Sequence, residues 1–394
     1  KDAKKRLAGT VLNTPLVKAP ILSKDLNSEI YLKEDNLQLT GSFKIRGAFN
    51  KLAMMDDKRR KNGVVAASAG NHAQGLAYAA QHFGCEATIF MPEATPLTKV
   101  SGVKSYGANV VLVGENFDEA YATATKSALD NDKEFIHPFA DDAVIAGQGT
   151  IALEILEKIE DIEHIIVPIG GGGLISGIAI AAKAINPNIK ITGVVASGAR
   201  GMKDSFEARM PIDSASVKTI ADGIAVRDVT PKLLDIILEY VDQIVEVTDN
   251  ETANAILFLL EKHKLMVEGA GAVATAAIMH GKVDIENSKV CAIVSGGNID
   301  VTMLSLIIEK GLVKSNRKMN LIVTLMDKPG ALMLLTEVFT KSSANIVQID
   351  YDRKSVKLEF GEAHVTIALE TKGEEHQKLI RENLKQSGYR FKQI

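Results

Sequence analysis

From Glu29 to about Lys310 the chain alternates short β-branched runs with longer segments of helical period, a pattern that restricts this stretch to parallel sheets covered by helices. The runs Gly63-Val64-Val65-Ala66-Ala67, Ala87-Thr88-Ile89-Phe90-Met91, Asn109-Val110-Val111-Leu112-Val113 and His164-Ile165-Ile166-Val167-Pro168 read as apolar strands buried on both faces. A helix follows each. Thr248, with Glu251 three residues on, predicts a capping box ahead of Ala253 to Leu260. At 394 residues and 46% hydrophobic content, the chain can bury a large core and divide into two or three domains.

After Ile308-Glu309-Lys310 the character changes. Gly311 to Lys318 is basic, polar and weakly patterned, so a first domain is placed over residues 1–312 and a linker over 313–318. From Met319 the pattern predicts a strand over Asn320 to Leu325, a helix after Pro329-Gly330, and strands near Ile346 to Tyr351 and Glu362 to Glu370. A helix near Glu374 to Gln386 and a last edge at Tyr389-Arg390-Phe391 complete it. This βαββαβ order over 319–394 is that of a ferredoxin-like sandwich.

A formal net charge of −3, 5% aromatic residues and no tryptophan supply neither a phosphate-neutralising surface nor a base-stacking platform, which sets nucleic acid aside. Cys85 and Cys291 lie far apart in apolar surroundings and read as buried hydrophobes of a reducing compartment, without a metal-ligand spacing. The basic opening Lys1 to Arg6 is not followed by a signal-peptide core, and no uncharged apolar run reaches membrane-spanning length. The cytoplasm is the expected location.

Three segments carry chemistry together. Lys44 stands in Thr40-Gly41-Ser42-Phe43-Lys44-Ile45-Arg46-Gly47-Ala48; Gly170, Gly171, Gly172 and Gly173 form an unbroken run; and Val294-Ser295-Gly296-Gly297-Asn298 ends a strand. Consecutive glycines let the backbone approach an anion, and the helix that opens at Leu174 presents free N–H groups and a positive dipole end. A lysine able to form an imine, a phosphate cradle and a hydroxyl at a strand end are the equipment of a pyridoxal phosphate enzyme. A nucleotide P-loop would need Gly-Lys-Ser/Thr, which is missing. A dinucleotide fingerprint fails because Ile175 or Ser176 occupies its last glycine position. Two of the segments also have a plain structural reading: a tightly packed turn for the glycine run, and for Ser295 a turn residue before Gly296-Gly297.

Ser68, Ala69, Gly70, Asn71 and His72 also follow a buried strand and open a helix. Their backbone could receive a second anion such as a substrate carboxylate, and Asn71 could meet a cofactor hydroxyl. For His72 and His137 the simpler reading is a core or surface histidine.

Ser42 to Ala48, Ser68 to Gly75, Gly170 to Leu174 and Ser295 to Asn298 together resemble the threonine dehydratase (threonine deaminase) family of tryptophan-synthase-β-like pyridoxal phosphate enzymes, in order across essentially all of residues 1–312. The resemblance implies two open twisted α/β domains with the cofactor in the cleft between them, the smaller spanning about residues 63–132. By the same resemblance Lys44 carries pyridoxal 5'-phosphate as an imine, Phe43 packs near the ring and Asn71 meets the ring hydroxyl. Gly170, Gly171, Gly172, Gly173 and Leu174 hold the phosphate, and Ser295 meets the pyridine nitrogen. Ser68, Ala69, Gly70, Asn71 and His72 take the substrate carboxylate. The reaction implied is elimination of water from L-threonine, then deamination to 2-oxobutanoate and ammonia, with L-serine a poorer substrate.

Serine racemases resemble this chain but carry a serine where Ala69 stands, which argues for dehydration. Relatives with a divalent metal carry acids where Val195, Ala199 and Gly201 stand, so no metal is expected. The end module resembles an ACT domain, which implies a small amino-acid effector, such as a branched-chain one, at Gly330, Ala331, Leu332, Asn345 and Ile346. It also implies pairing of modules in a homo-oligomer; a dimerisation cap without ligand is the structural alternative. Serine dehydratase or racemase activity is the neighbouring reading. A non-catalytic amino-acid sensor is the distant one, marked by loss of the lysine that Lys44 supplies.

Overall fold

The computed structural model describes residues 1–354 and 358–394. In chain order its first ten strands are β1 (Leu16–Lys18), β2 (Glu29–Glu34), β3 (Val64–Ala67), β4 (Ala87–Met91), β5 (Asn109–Leu112), β6 (Glu134–Phe135), β7 (His164–Pro168), β8 (Lys190–Ala196), β9 (Gln243–Val247) and β10 (Lys289–Val294). They form two sheets, ordered β1-β2-β10-β7-β8-β9 and β5-β4-β3-β6. Every pair is parallel except β1 with β2, as helix-covered runs require.

The larger sheet is buried where the apolar runs are continuous: Val290 to Val294 of β10 and Ile165 to Val167 of β7 are fully enclosed. Strand β5 departs from the reading of a strand buried on both faces. It is the edge of its sheet, and Val111 and Leu112 are exposed. Periodicity does not reveal a strand's neighbours, so an apolar run can lie at an edge. The capping box is present, Thr248 accepting from the Glu251 N–H and Glu251 from that of Thr248.

The smaller sheet's core is wider than residues 63–132. Ala48, Phe49 and Leu52 of the helix Lys44–Met54 pack into it from one side of that span, and Ile136 and Val144 from the other. Strand β6 also lies beyond position 132.

Lys1–Asp300 forms one unit and Val301–Ile394 the other. The second comprises a helix Val301–Lys314, β11 (Lys318–Met326), a helix Ala331–Lys341, β12 (Asn345–Asp352), β13 (Glu362–Glu370), a helix Glu374–Gln386 and β14 (Arg390–Gln393). Its antiparallel sheet is ordered β12-β13-β11-β14, the ferredoxin-like arrangement. Met319, Leu321, Val323 and Leu325 alternate inward along β11 onto Leu335, Phe339, Ile380 and Leu384. The helix Val301–Lys314 runs through position 312, where the sequence reading ends the first domain, and Lys318 already belongs to β11. Gly311 sits inside that helix without breaking it, and the division falls at Asp300/Val301.

Candidate active site

Lys44 owes its place to backbone pairing. Gly41 turns with φ +70°, and a Cβ there would fall 2.3 Å from Asn298 Oδ1, so a side chain would strain the turn and displace the Asn298 amide. The turned segment then zips onto the end of β10. Ser42 bridges Gly296, the Phe43 N–H donates to the Ser295 carbonyl at 3.0 Å, and the Gly297 N–H donates to the Gly41 carbonyl at 2.8 Å. Lys44 follows as the first residue of its helix. The helix Asn71–Phe83 crosses that start so closely that a Cβ on Gly75 would lie 2.9 Å from the Ile45 nitrogen.

Beneath the lysine's helix lies a buried charge cluster. Arg46 Nε donates to Asp35 at 2.6 Å and its Nη1 to Glu154 at 2.5 Å; Lys33 Nζ meets Glu154 at 2.6 Å, and Thr14 Oγ1 donates to Asp35 at 2.6 Å. Two cations and two anions cancel, so none is left as an uncompensated interior charge. Burial pushes the Asp35 carboxyl up, but the Arg46 guanidinium, with help from Lys33 and Thr14, offsets this and holds it below the ordinary value.

Within the first unit a cavity of about 800 Å³ lies between the two sheets. The glycine run follows β7 and Ser295 follows β10; because these strands are adjacent and parallel, both segments emerge at one edge, the carboxyl end where open α/β sheets bind ligands. Ser68 to His72 come from the end of β3 in the smaller sheet. The cavity brings together Phe43, Lys44, Ser68, Ala69, Gly70, Asn71, His72, Gly170, Gly171, Gly172, Gly173, Leu174 and Ser295.

Lys44 Nζ donates to the Pro138 carbonyl at 3.0 Å and stands 5.3 Å from the centroid of the Phe43 ring. Burial lowers its amine to about 8, against the opposing pull of Glu268. Its remaining exposure is to the cavity, so the amine is poised to deprotonate near neutrality. Gly172 takes φ +94° and opens the helix Gly173–Lys183, aiming that helix's N-terminus at the cavity. A Cβ on Gly171 would fall 2.6 Å from the Phe139 ring, and one on Gly173 2.8 Å from Phe139 Cβ. The run therefore has both a packing reason and an anion-binding geometry. An amine, an oriented helix N-terminus and the Ser295 hydroxyl, which donates to the Ala270 carbonyl at 3.3 Å, suit a phosphate ester bearing an aldehyde and a ring nitrogen.

His72 is a core histidine on a cavity wall. Its Nε2 lies 3.0 Å from the Ile136 carbonyl, and burial followed by the Lys44 charge lowers it to about 3, so it is neutral. His137 is also neutral, lowered to about 4 mainly by burial, and its Nδ1 accepts the Ala140 N–H at 2.9 Å.

Sequence reasoning missed Glu268 and the Pro138-Phe139 pair, and gave Asn298, at the end of the Ser295 segment, no role of its own. Glu268 is 5% exposed, and burial followed by the Asp222 charge raises it to about 7. It accepts an N–H of Asn71 at 2.6 Å, while Asn298 Nδ2 donates to Asn71 Oδ1 at 2.7 Å. One signal was available: Glu268 directly precedes Gly269–Met279, a helix of small and apolar residues enclosed almost all round, where a carboxylate has little access to water. Pro138 and Phe139 carried no local signal.

The residues proposed for an effector do not all meet within one chain. Gly330, at φ +85°, opens the helix Ala331–Lys341 beside Ala331 and Leu332, whereas Asn345 and Ile346 begin β12 beyond its other end, about 16 Å of helix away. Among the described residues no group of three or more His, Cys, Asp or Glu is placed to hold a metal ion. No helix among them is long and apolar enough to cross a membrane.

Residues 7–296 match the family described as pyridoxal-phosphate dependent enzyme. An L-threonine ammonia-lyase of Thermotoga maritima is 46% identical over 397 residues, covering 99% of this chain and 97% of its own. Threonine deaminase isoform 2 from Solanum lycopersicum, in its processed form, superposes with a TM-score of 0.75 at 37% identity, covering 78% of this chain and 86% of that one. Maize serine racemase gives a TM-score of 0.75 at 35% identity, covering 80% and 97%.

Proposed function

The chain belongs to the pyridoxal-phosphate-dependent enzyme family, and from that premise we propose that it is an L-threonine ammonia-lyase, converting L-threonine to 2-oxobutanoate and ammonia. The observation that carries the reading is the meeting of Lys44, the glycine run and Ser295 around one cavity. It is supported by the likeness to an L-threonine ammonia-lyase that aligns with 99% of the chain at 46% identity.

Bound pyridoxal 5'-phosphate withdraws electrons from the α-carbon of an amino acid attached to it. Lys44 would hold the cofactor and, once released by the substrate amine, take the α-proton on Nζ. An amine lowered to about 8 has an appreciable neutral fraction at neutral pH, as a base requires. The N–H groups of Gly170 to Leu174 would bind the phosphate at the dipole end of the helix they open. Ser295 would meet the ring nitrogen with a neutral hydroxyl. Lacking a carboxylate's charge, it would favour protonation of that nitrogen less and so would moderate the electron withdrawal that the cofactor supplies. Ser68 to His72 would take the substrate carboxylate with backbone N–H groups, since a neutral His72 brings no charge.

The likeness to maize serine racemase supports a second reading, serine dehydration or racemisation. Against racemisation, Ala69 places no ionisable atom on the cavity wall. The deciding experiment is steady-state turnover of L-threonine and L-serine by cofactor-loaded protein, with chiral analysis for D-serine. Threonine as the better substrate without D-serine is expected; D-serine as the main product would overturn the assignment.

For the second unit we infer an ACT-like role. A branched-chain amino acid would bind where the start of Ala331–Lys341 in one copy meets the start of β12 in another, in a homo-oligomer. The separation of the two residue groups within one chain supports a site shared between copies. Calorimetric titration of the full-length protein with isoleucine, valine and threonine tests it; silence from all three leaves only a structural role. Two buried free cysteines suit the cytoplasm.

A further inference from the structure

We infer that Glu268 is a positioning residue. Its carboxylate takes one N–H of the Asn71 amide while Asn298 donates to the amide's oxygen, so that the group Asn71 turns toward the cavity is its second N–H. The inference rests on the reading that Asn71 meets the ring hydroxyl of the bound cofactor.

An asparagine amide carries a donor end and an acceptor end of nearly equal shape, and its neighbours decide which faces a ligand. Here both ends are occupied. Glu268 Oε1 accepts from Nδ2 at 2.6 Å, and Asn298 Nδ2, itself anchored to the Thr40 carbonyl at 2.9 Å, donates to Oδ1 at 2.7 Å. One Nδ2 hydrogen remains, a donor suited to an oxygen bearing negative charge. The backbone leaves room for this carboxylate: a Cβ on Gly296 would fall 2.2 Å from Glu268 Oε1, and one on Gly223 3.4 Å from it.

Only the ionised carboxylate is a pure acceptor. Protonated, it gains a donor of its own and no longer dictates which amide end faces it. The charged groups that act on it are Lys44 at the start of Lys44–Met54, Lys99 on the helix Leu97–Lys104 and Asp222 on the turn Asp222–Ile224. The helix Gly269–Met279 and the strand end Ser295 to Asn298 add no titratable side chain. With Glu268 raised to about 7, the pairing is complete above neutrality and lost as pH falls below it.

The test compares cofactor-loaded wild type with Glu268→Gln and Glu268→Leu. Its readouts are the pH dependence of kcat/KM, the pH dependence of the bound cofactor's visible spectrum, and isotope-edited infrared titration of the Glu268 carboxyl in cofactor-free protein. Wild type should show a step near neutrality in all three. Glu268→Gln carries both an acceptor and a donor at every pH, as the protonated carboxyl does. It should lose the step, with the alkaline plateau reduced by less than about tenfold, the scale of one hydrogen bond. Glu268→Leu should lower kcat across the whole range. In cofactor-free protein, Asn71→Ala should move the infrared midpoint upward. An unchanged step in Glu268→Gln, or an infrared midpoint indifferent to Asn71, overturns the inference. If wild type neither holds the cofactor nor acts on threonine, the functional reading fails instead, and the infrared titration still judges the Glu268–Asn71 pairing.

Discussion

The backbone N–H of Phe43 donates to the carbonyl of Ser295 at 3.0 Å, so the residue before Lys44 is held by the residue that ends β10. Lysine and hydroxyl lie 251 positions apart in sequence, yet a change in either segment's backbone moves both.

Lys44→Ala should remove the covalent attachment of the cofactor and the base. kcat for threonine should fall by about 10² to 10⁴-fold or more, the range for losing one positioned base. Borohydride reduction of loaded wild type should leave a stable mass increment on the peptide containing Lys44, and none in the variant.

Gly171→Ala places a methyl group where the Phe139 ring lies, 2.6 Å away. Overpacking of this kind costs about 1 to 3 kcal/mol, and here the displaced part is the anion-binding turn. Cofactor affinity should weaken by about 5- to 100-fold. The double variant with Phe139→Ala should recover part of the loss; strict additivity in equilibrium titrations would refute the coupling.

Arg46→Met leaves Asp35 and Glu154 short of a buried counter-charge. Breaking such a cluster from one side costs about 3 to 5 kcal/mol, readable by urea unfolding. The sign of its pH dependence follows from Asp35, whose carboxyl is held below its ordinary value when folded. Its contribution is present above the ordinary aspartate range and lost as pH falls through the lower folded value, and it should shrink in the variant, which keeps only Lys33 and Thr14 beside Asp35.

His164→Gln should make the protein less acid-sensitive. His164 Nε2 lies 2.7 Å from Thr192 Oγ1, and burial lowers the imidazole from 6.5 to about 4. Between those values the unfolded chain takes up a proton that the folded one does not. The stability is whole above the unfolded value and drains away as pH drops toward the folded one. Between pH 7 and 5 this amounts to about 2 kcal/mol. Melting curves at both pH values should show wild type losing more than the variant; equal losses would sink the argument.

Strand runs, the Thr248 capping box and the order of the end module were legible because each is a local pattern: alternation, a cap and a turn residue act over a few positions. The grouping of Lys44, the glycine run and Ser295 around one cavity was legible because each stands at a strand end or helix start and the segments occur in the order of the family the chain resembles. The edge position of β5 was not, because an apolar run carries no record of what lies beside it. Glu268 escaped for a related reason. A glutamate's acidity is set by what buries it, and the burying groups, among them Gly223 and Gly296, come from distant segments.

The chain's order of residues decided by itself that there would be helix-covered parallel strands, a glycine turn ahead of a helix, a reactive amine and a separate βαββαβ end module, since periodicity, φ freedom and functional-group identity are properties of short stretches. Only the tertiary structure decided that the amine sits near 8 and Glu268 near 7, that Phe139 backs the glycines, and that both ends of Asn71 are already spoken for. Desolvation, charge proximity and hydrogen-bond direction depend on distances between segments that meet only when the two sheets have closed around the cavity.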